Sequence, residues 1–168
     1  MPTRGATDDF GVPLNILGRH PEEFFSIMGR IVTLSATMQH QVLIFYQHLV
    51  GRDQSLYTDW PVSKLIRQAR KELKRLPAPG ADLARQWLRE ADEIRDARNN
   101  YVHNLWPAQG DGRLFGWRVS GRGAKASITT QKTMDDMRAD LDRLIELLKV
   151  PRLHRIQALV SSGRHLSN

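Results

Sequence analysis

Phe24, Met28, Ile31, Ser35, Met38, Val42, Phe45 and Leu49 recur at intervals of three and four, and this run constrains the fold more than any other stretch of the chain. Such spacing traces one stripe along a helix about seven turns long. Pro21 with Glu22 and Glu23 opens it, since proline suits a first turn and acids complement a helix N-terminus. Gly51 closes it. Phe25, Ile27, Val32, Leu34, Leu43, Ile44 and Tyr46 are apolar as well, so only a narrow side is left for water. A helix of this kind must be surrounded, either at the centre of a bundle or by a partner chain.

The remaining segments supply the neighbours. A second helix is predicted from Val62 to Leu76, with Leu65, Ile66, Ala69 and Leu73 on its apolar side, and Pro77-Ala78-Pro79-Gly80 stops it. A third begins at Ala81 or Asp82, with Asp82 as N-cap, and runs to about Trp106, where Pro107 ends it. Its inward stripe is Leu83, Trp87, Ala91, Ile94, Tyr101 and Leu105. Arg113 to Val119 and Ala124 to Thr130 read as a small β-hairpin. Thr133 caps a fourth helix, from Met134 to Val150, with Asp135 and Asp136 in its first turn and Met137, Leu141, Leu144, Ile145 and Leu148 facing in. The expected fold is therefore all-α: an antiparallel bundle of four to five helices with a small β-hairpin insertion.

With 168 residues and 40% apolar content, one domain is expected, comprising a flexible arm over 1–20, the bundle with its hairpin over 21–150, and a tail or short helix over 151–168. The chain has no cysteine, which excludes disulfides, thiolate metal sites and a cysteine nucleophile. No stretch approaches the roughly 18 continuous apolar residues of a membrane helix, and the start resembles no signal peptide. A soluble, cytoplasmic protein without a membrane partner is the expectation. His40 and His48 stand eight residues apart, too far to share a metal ion, and neither a metal nor a cofactor site is read from the sequence.

The formal charge of +7 favours polyanionic partners, nucleic acid first. Lys64, Arg67, Lys71 and Lys74 form a row along the second helix, suited either to phosphates or to plain solvation. Arg113, Arg118, Arg122 and Lys125 make the hairpin basic. Phe115 and Trp117, on alternate positions beside them, either pack onto the helices or stack on bases.

Late in the third helix comes Arg98-Asn99-Asn100-Tyr101-Val102-His103. At 3.6 residues per turn, Arg98 shares the inward sector of Ile94, Tyr101 and Leu105. A half-buried guanidinium is costly unless paired, so Arg98 calls for an acidic or anionic partner from another element or from a ligand. His103 lies about 140° further round, which requires either a distorted helix or a second surface such as a homodimer interface.

These six residues, on a bundle helix, resemble the R-N-x-x-x-H form of the motif in HEPN (higher eukaryotes and prokaryotes nucleotide-binding) domains. The resemblance implies a dimeric helical bundle with two motifs in a shared cleft, and metal-independent cleavage of RNA, often in toxin–antitoxin or antiphage systems with an antitoxin or regulatory protein as partner. Under it Arg98 holds the scissile phosphate, His103 moves protons as general base or acid, and Asn99 orients the imidazole or the substrate. From the charge pattern, Lys64, Arg67, Lys71, Lys74, Arg118 and Arg122 are the expected RNA-binding residues. Leu105 stands where some toxin members carry a tyrosine modified by a partner nucleotidyltransferase. The alternative is a non-catalytic helical module that dimerises and binds RNA, nucleotide or a protein, with Arg98 bridging helices and His103 capping helix-end carbonyls.

Overall fold

The computed structural model describes residues 6, 7, 11, 13, 18–51, 57–76, 80–108, 111, 113–119 and 126–165. Its elements are α1 (Glu22–Val50), α2 (Val62–Leu73), α3 (Gly80–His103), β1 (Leu114–Val119), β2 (Ala126–Lys132), α4 (Met134–Leu147) and α5 (Val150–His165). The described residues are mostly helical, with one two-stranded antiparallel sheet among them, as expected of an all-α bundle carrying a β-hairpin. The residues group into two compact units, Met1–Val32 with Ala97–Leu141 and Thr33–Asp96 with Asp142–Asn168.

The second of these units holds the larger apolar core. Met38, Val42, Phe45 and Leu49 of α1 meet Leu65, Ile66, Ala69 and Leu73 of α2, Ala84, Trp87, Leu88 and Ala91 of α3, and Leu144 and Leu147 of α4. Trp87 is fully buried, edge-on to Phe45, and its indole N–H donates to the Leu147 carbonyl at 3.3 Å, so its one polar atom is satisfied. Pro151 falls in the first turn of α5, where its missing N–H costs nothing, so a full helix forms where a tail or short helix is expected. Leu153, Ile156 and Val160 carry it into the core. Gly80 starts α3 against α5; a Cβ there would stand 2.8 Å from the Leu159 carbonyl carbon and oxygen.

α2 ends at Leu73, three residues short of the expected Leu76, because the approach to Pro77 tightens the chain into i to i−3 bonds from Lys74, Arg75 and Leu76. α4 likewise ends at Leu147 rather than Val150.

The first unit is built on Phe24, Ile27 and Ile31 of α1, the end of α3, the hairpin and the start of α4. Gly18 and His20 are docked rather than loose. A Cβ on Gly18 would meet that of Ala108 at 2.8 Å, and His20 is buried, stacked 4.0 Å from Phe24, with Nε2 2.5 Å from the Trp106 carbonyl. Of the rest of the expected arm, only 6, 7, 11, 13 and 19 lie within the described residues.

The hairpin spans 114–132 rather than 113–130, with Gly116 opposite Thr130 and a bulge between Gly116 and Trp117. Residues 105 and 108 add bridges to Trp117 and Leu114 on the free edge of β1. This is why α3 stops at His103 and not at Trp106. The Leu105 N–H and carbonyl are held by Trp117 at 2.9 and 2.8 Å, so strand pairing ends the helix before Pro107 is reached. Thr133 caps α4 as expected: its Oγ1 accepts the Asp136 N–H at 3.1 Å, while the Asp136 carboxylate accepts the Thr133 N–H at 2.7 Å.

Candidate functional site

The last two turns of α3 are anchored by Tyr101, only 2% exposed. Its ring lies 5.6 Å from that of Trp106, and its carbonyl accepts the Trp106 indole N–H at 3.1 Å. Its hydroxyl donates to Asp140 Oδ2 at 2.7 Å, and Lys132 Nζ donates to the same oxygen at 2.7 Å. Burial first, then the hydrogen bond to Asp140 and the negative charges of Asp140 and Asp136, push the Tyr101 hydroxyl far above its ordinary value. Tyr101 thus keeps its proton and acts as a fixed donor, tying α3 to β2 and α4.

Arg98 sits one turn earlier and is half-buried. Its Nη1 donates to Asn99 Oδ1 at 3.1 Å, while its Nε is buried with no hydrogen-bond partner among the described residues. Among the described residues no carboxylate pairs with it, although the neighbouring Arg95 is held by Asp92 at 2.8 Å and Asp96 at 2.7 Å. The inward placement of Arg98 is as expected; the acidic partner from another element is not found among the described residues.

The helix runs through to His103, with the Asn104 N–H on the Asn100 carbonyl at 3.2 Å, and His103 is exposed without a hydrogen-bond partner among the described residues. Val102 and Leu105, 41% and 58% exposed, flank His103 with apolar surface.

Asn104, unmarked by any sequence pattern, is 8% exposed with neither its amide nitrogen nor its oxygen hydrogen-bonded among the described residues. It packs against Gly116, where a Cβ would come within 2.7 Å of Asn104 Nδ2. The Trp117 indole nitrogen is buried and unpartnered among the described residues too. Nothing in the sequence marks these groups, because their burial depends on the hairpin folding over the end of α3. Tyr101, Asp140 and Lys132 were equally invisible as a set, being 31 and 39 residues apart along the chain from α3 to β2 and α4.

Arg118 projects from β1 in this same unit, exposed and without an ion pair among the described residues. Phe115 and Trp117 are half-buried. Arg122 lies outside the described residues, as does Lys125. Lys64, Arg67 and Lys71 on α2, and Lys74 directly after it, belong to the second unit. The structure therefore groups Arg98 with Asn99, sets His103 on the exposed end of their helix, and assigns the α2 row to a different unit. Among the described residues no three His, Cys, Asp or Glu side chains form a group able to hold a metal ion, and no helix is long and apolar enough to cross a membrane. Comparison with family models, with curated proteins and with solved structures gives no match to this chain.

Proposed function

We propose that the chain is a metal-independent endoribonuclease of HEPN type, working in the cytoplasm as a homodimer. The observation that carries this reading is the state of Arg98: a half-buried guanidinium, oriented by Asn99, with a buried unpartnered Nε and no carboxylate among the described residues to neutralise it. Leaving a cation so placed is unfavourable by the lost pairing and desolvation, and an external phosphate would offset that cost. A fixed cation aimed at a phosphodiester is what stabilises the charge that develops on a pentacoordinate phosphorus.

The chemistry needs two proton transfers. One His103 takes the proton of a ribose 2′-OH, the 2′-oxygen bonds to phosphorus, and the P–O5′ bond breaks. The 5′-oxygen leaves with a proton from the His103 of a second copy, giving a 2′,3′-cyclic phosphate and a 5′-hydroxyl. The exposed position of His103 between Val102 and Leu105 supports a site completed across such an interface. A toxin or antiphage effector, controlled by an antitoxin or regulatory protein, is the biological setting this activity suggests.

The test is cleavage of single-stranded and structured RNA in EDTA by purified wild type, Arg98→Ala and His103→Ala. Wild type is expected to give cyclic-phosphate ends, and both variants to lose at least 100-fold in rate with unchanged melting. If His103→Ala cuts as well as wild type, or Arg98→Ala fails by unfolding while the wild type leaves every RNA intact, the residues serve structure and the ribonuclease reading is wrong.

A further inference from the structure

α2 and the two residues that follow it carry six cations, and the fold neutralises them selectively. Arg70, turned towards α3, is held by Asp92 at 3.1 Å and by the Leu88 carbonyl at 3.3 Å, and Arg75 is held by Glu72 at 3.1 Å. Arg67, Lys71 and Lys74 are exposed and have no ion pair among the described residues. They follow one another at intervals of four and three, so their side chains form a single row with steps of about 4.5 to 6 Å along the helix axis. Lys64 extends the row by one more turn, its ammonium 3.5 Å from the centre of the Trp60 ring, which itself packs on Tyr46 and Tyr57. The opposite face of α2 is locked by Leu65, Ile66, Ala69 and Leu73, each at most 3% exposed, so the row cannot turn away from solvent.

The identity of a partner follows from what the row lacks. None of the exposed large apolar side chains among the described residues lies on α2, so it offers neither the anchor that an interfacial membrane helix inserts nor the apolar centre of a protein interface. What remains is a one-residue-wide ladder of cations at regular intervals, matched by a partner whose negative charges repeat at the same scale along one chain. A duplex would ask for two rows bracketing a groove.

We propose that the outer face of α2 is a binding strip for the phosphate backbone of single-stranded RNA, with Arg67, Lys71 and Lys74 each neutralising one phosphate and Lys64 held ready by Trp60. The strip is built from the α2 cations without Arg98 or His103; only the choice of RNA over single-stranded DNA rests on the proposed ribonuclease activity.

The experiment measures binding of the intact chain to a fluorescent 2′-O-methyl oligouridylate, which has no 2′-hydroxyl and cannot be cut, so that failure of cleavage and failure of binding are read separately. Parallel titrations use oligothymidylate, an RNA duplex, and vesicles containing phosphatidylserine. Replacing Arg67, Lys71 and Lys74 together by Gln removes three contacts, so the plot of log K against log salt flattens by about 2 units and affinity at 0.1 M salt falls about 100-fold. The circular dichroism melt stays as in wild type, because all three side chains are exposed. A control triple variant, Arg75→Gln, Arg143→Gln and Lys149→Gln, removes equal charge from ion-paired positions and is expected to change the slope by less than half as much. Equal loss in both triple variants, an unchanged slope in the first, tighter binding to duplex than to single strand, or binding to vesicles alone would each overturn the proposal. Tighter binding of oligothymidylate than of the RNA probe would overturn the assignment to RNA.

Discussion

Replacing Tyr101 by Phe removes one atom from the network that holds the end of α3. The ring stays where it is, 2% exposed beside Trp106, and only the bond of 2.7 Å to Asp140 is lost. A hydrogen bond to a charged group contributes about 1.5 to 3 kcal/mol net. Asp140 keeps Lys132 at 2.7 Å, so it is not left as an isolated charge, and the cost belongs at the lower end, about 1.5 to 2 kcal/mol. With a slope of about 3 to 4 kcal/mol per molar guanidinium, the unfolding midpoint should fall by about 0.5 M, read from tryptophan emission. Asp140→Ala is the harsher change: it strands a buried hydroxyl and a Lys132 side chain that is 22% exposed, and should cost about 3 kcal/mol or more. In a double-mutant cycle, Tyr101→Phe and Asp140→Ala should show a coupling of at least about 1 kcal/mol. A midpoint shift below about 0.1 M for Tyr101→Phe, or additivity of the two changes, would refute the view that this bond fixes the turn carrying His103.

Gly116→Ala brings a methyl group to 2.7 Å from Asn104 Nδ2 and from Thr130 Cγ2 and to 3.0 Å from Trp106 Cη2, and should destabilise by about 1 to 3 kcal/mol; a melting temperature equal to or above wild type would contradict the close packing of hairpin on helix end. His20 gives a pH signature. Burial lowers its pKa below 6.5, partly opposed by its hydrogen bond to the Trp106 carbonyl, so the unfolded chain takes up a proton before the native one does. Its contribution is therefore full above about pH 6.5 and is lost as pH falls from there towards the depressed native value, with a limiting slope of about 1.4 kcal/mol per pH unit. His20→Gln should flatten the melting temperature between pH 7.5 and 5.5, whereas an identical pH profile in both proteins would show that His20 is not held neutral. Glu23 and Asp136, both lowered by their hydrogen bonds to Arg138 and Thr133, act in a separate window below about pH 4.5.

The helices were legible in the sequence because their signals are local. Spacing of three and four marked the apolar face of α1, proline and acids marked its start, and Thr133 with Asp136 marked the cap of α4, all without reference to distant residues. The inward placement of Arg98 followed from the same arithmetic. Tertiary structure decided where local signals competed: α3 gave up Leu105 and Trp106 because the Trp117 backbone offered a ladder partner, and α5 grew past Pro151 because Leu153, Ile156 and Val160 had a core to enter. It also decided which cations are spent. Arg70, Lys71 and Lys74 look alike in the sequence, yet among the described residues only Arg70 of the three finds a carboxylate, since pairing depends on which side of α2 faces Asp92 on α3. The six residues from Arg98 to His103 are visible in the sequence; that no carboxylate among the described residues pairs with Arg98 and that His103 is exposed are properties of the folded chain.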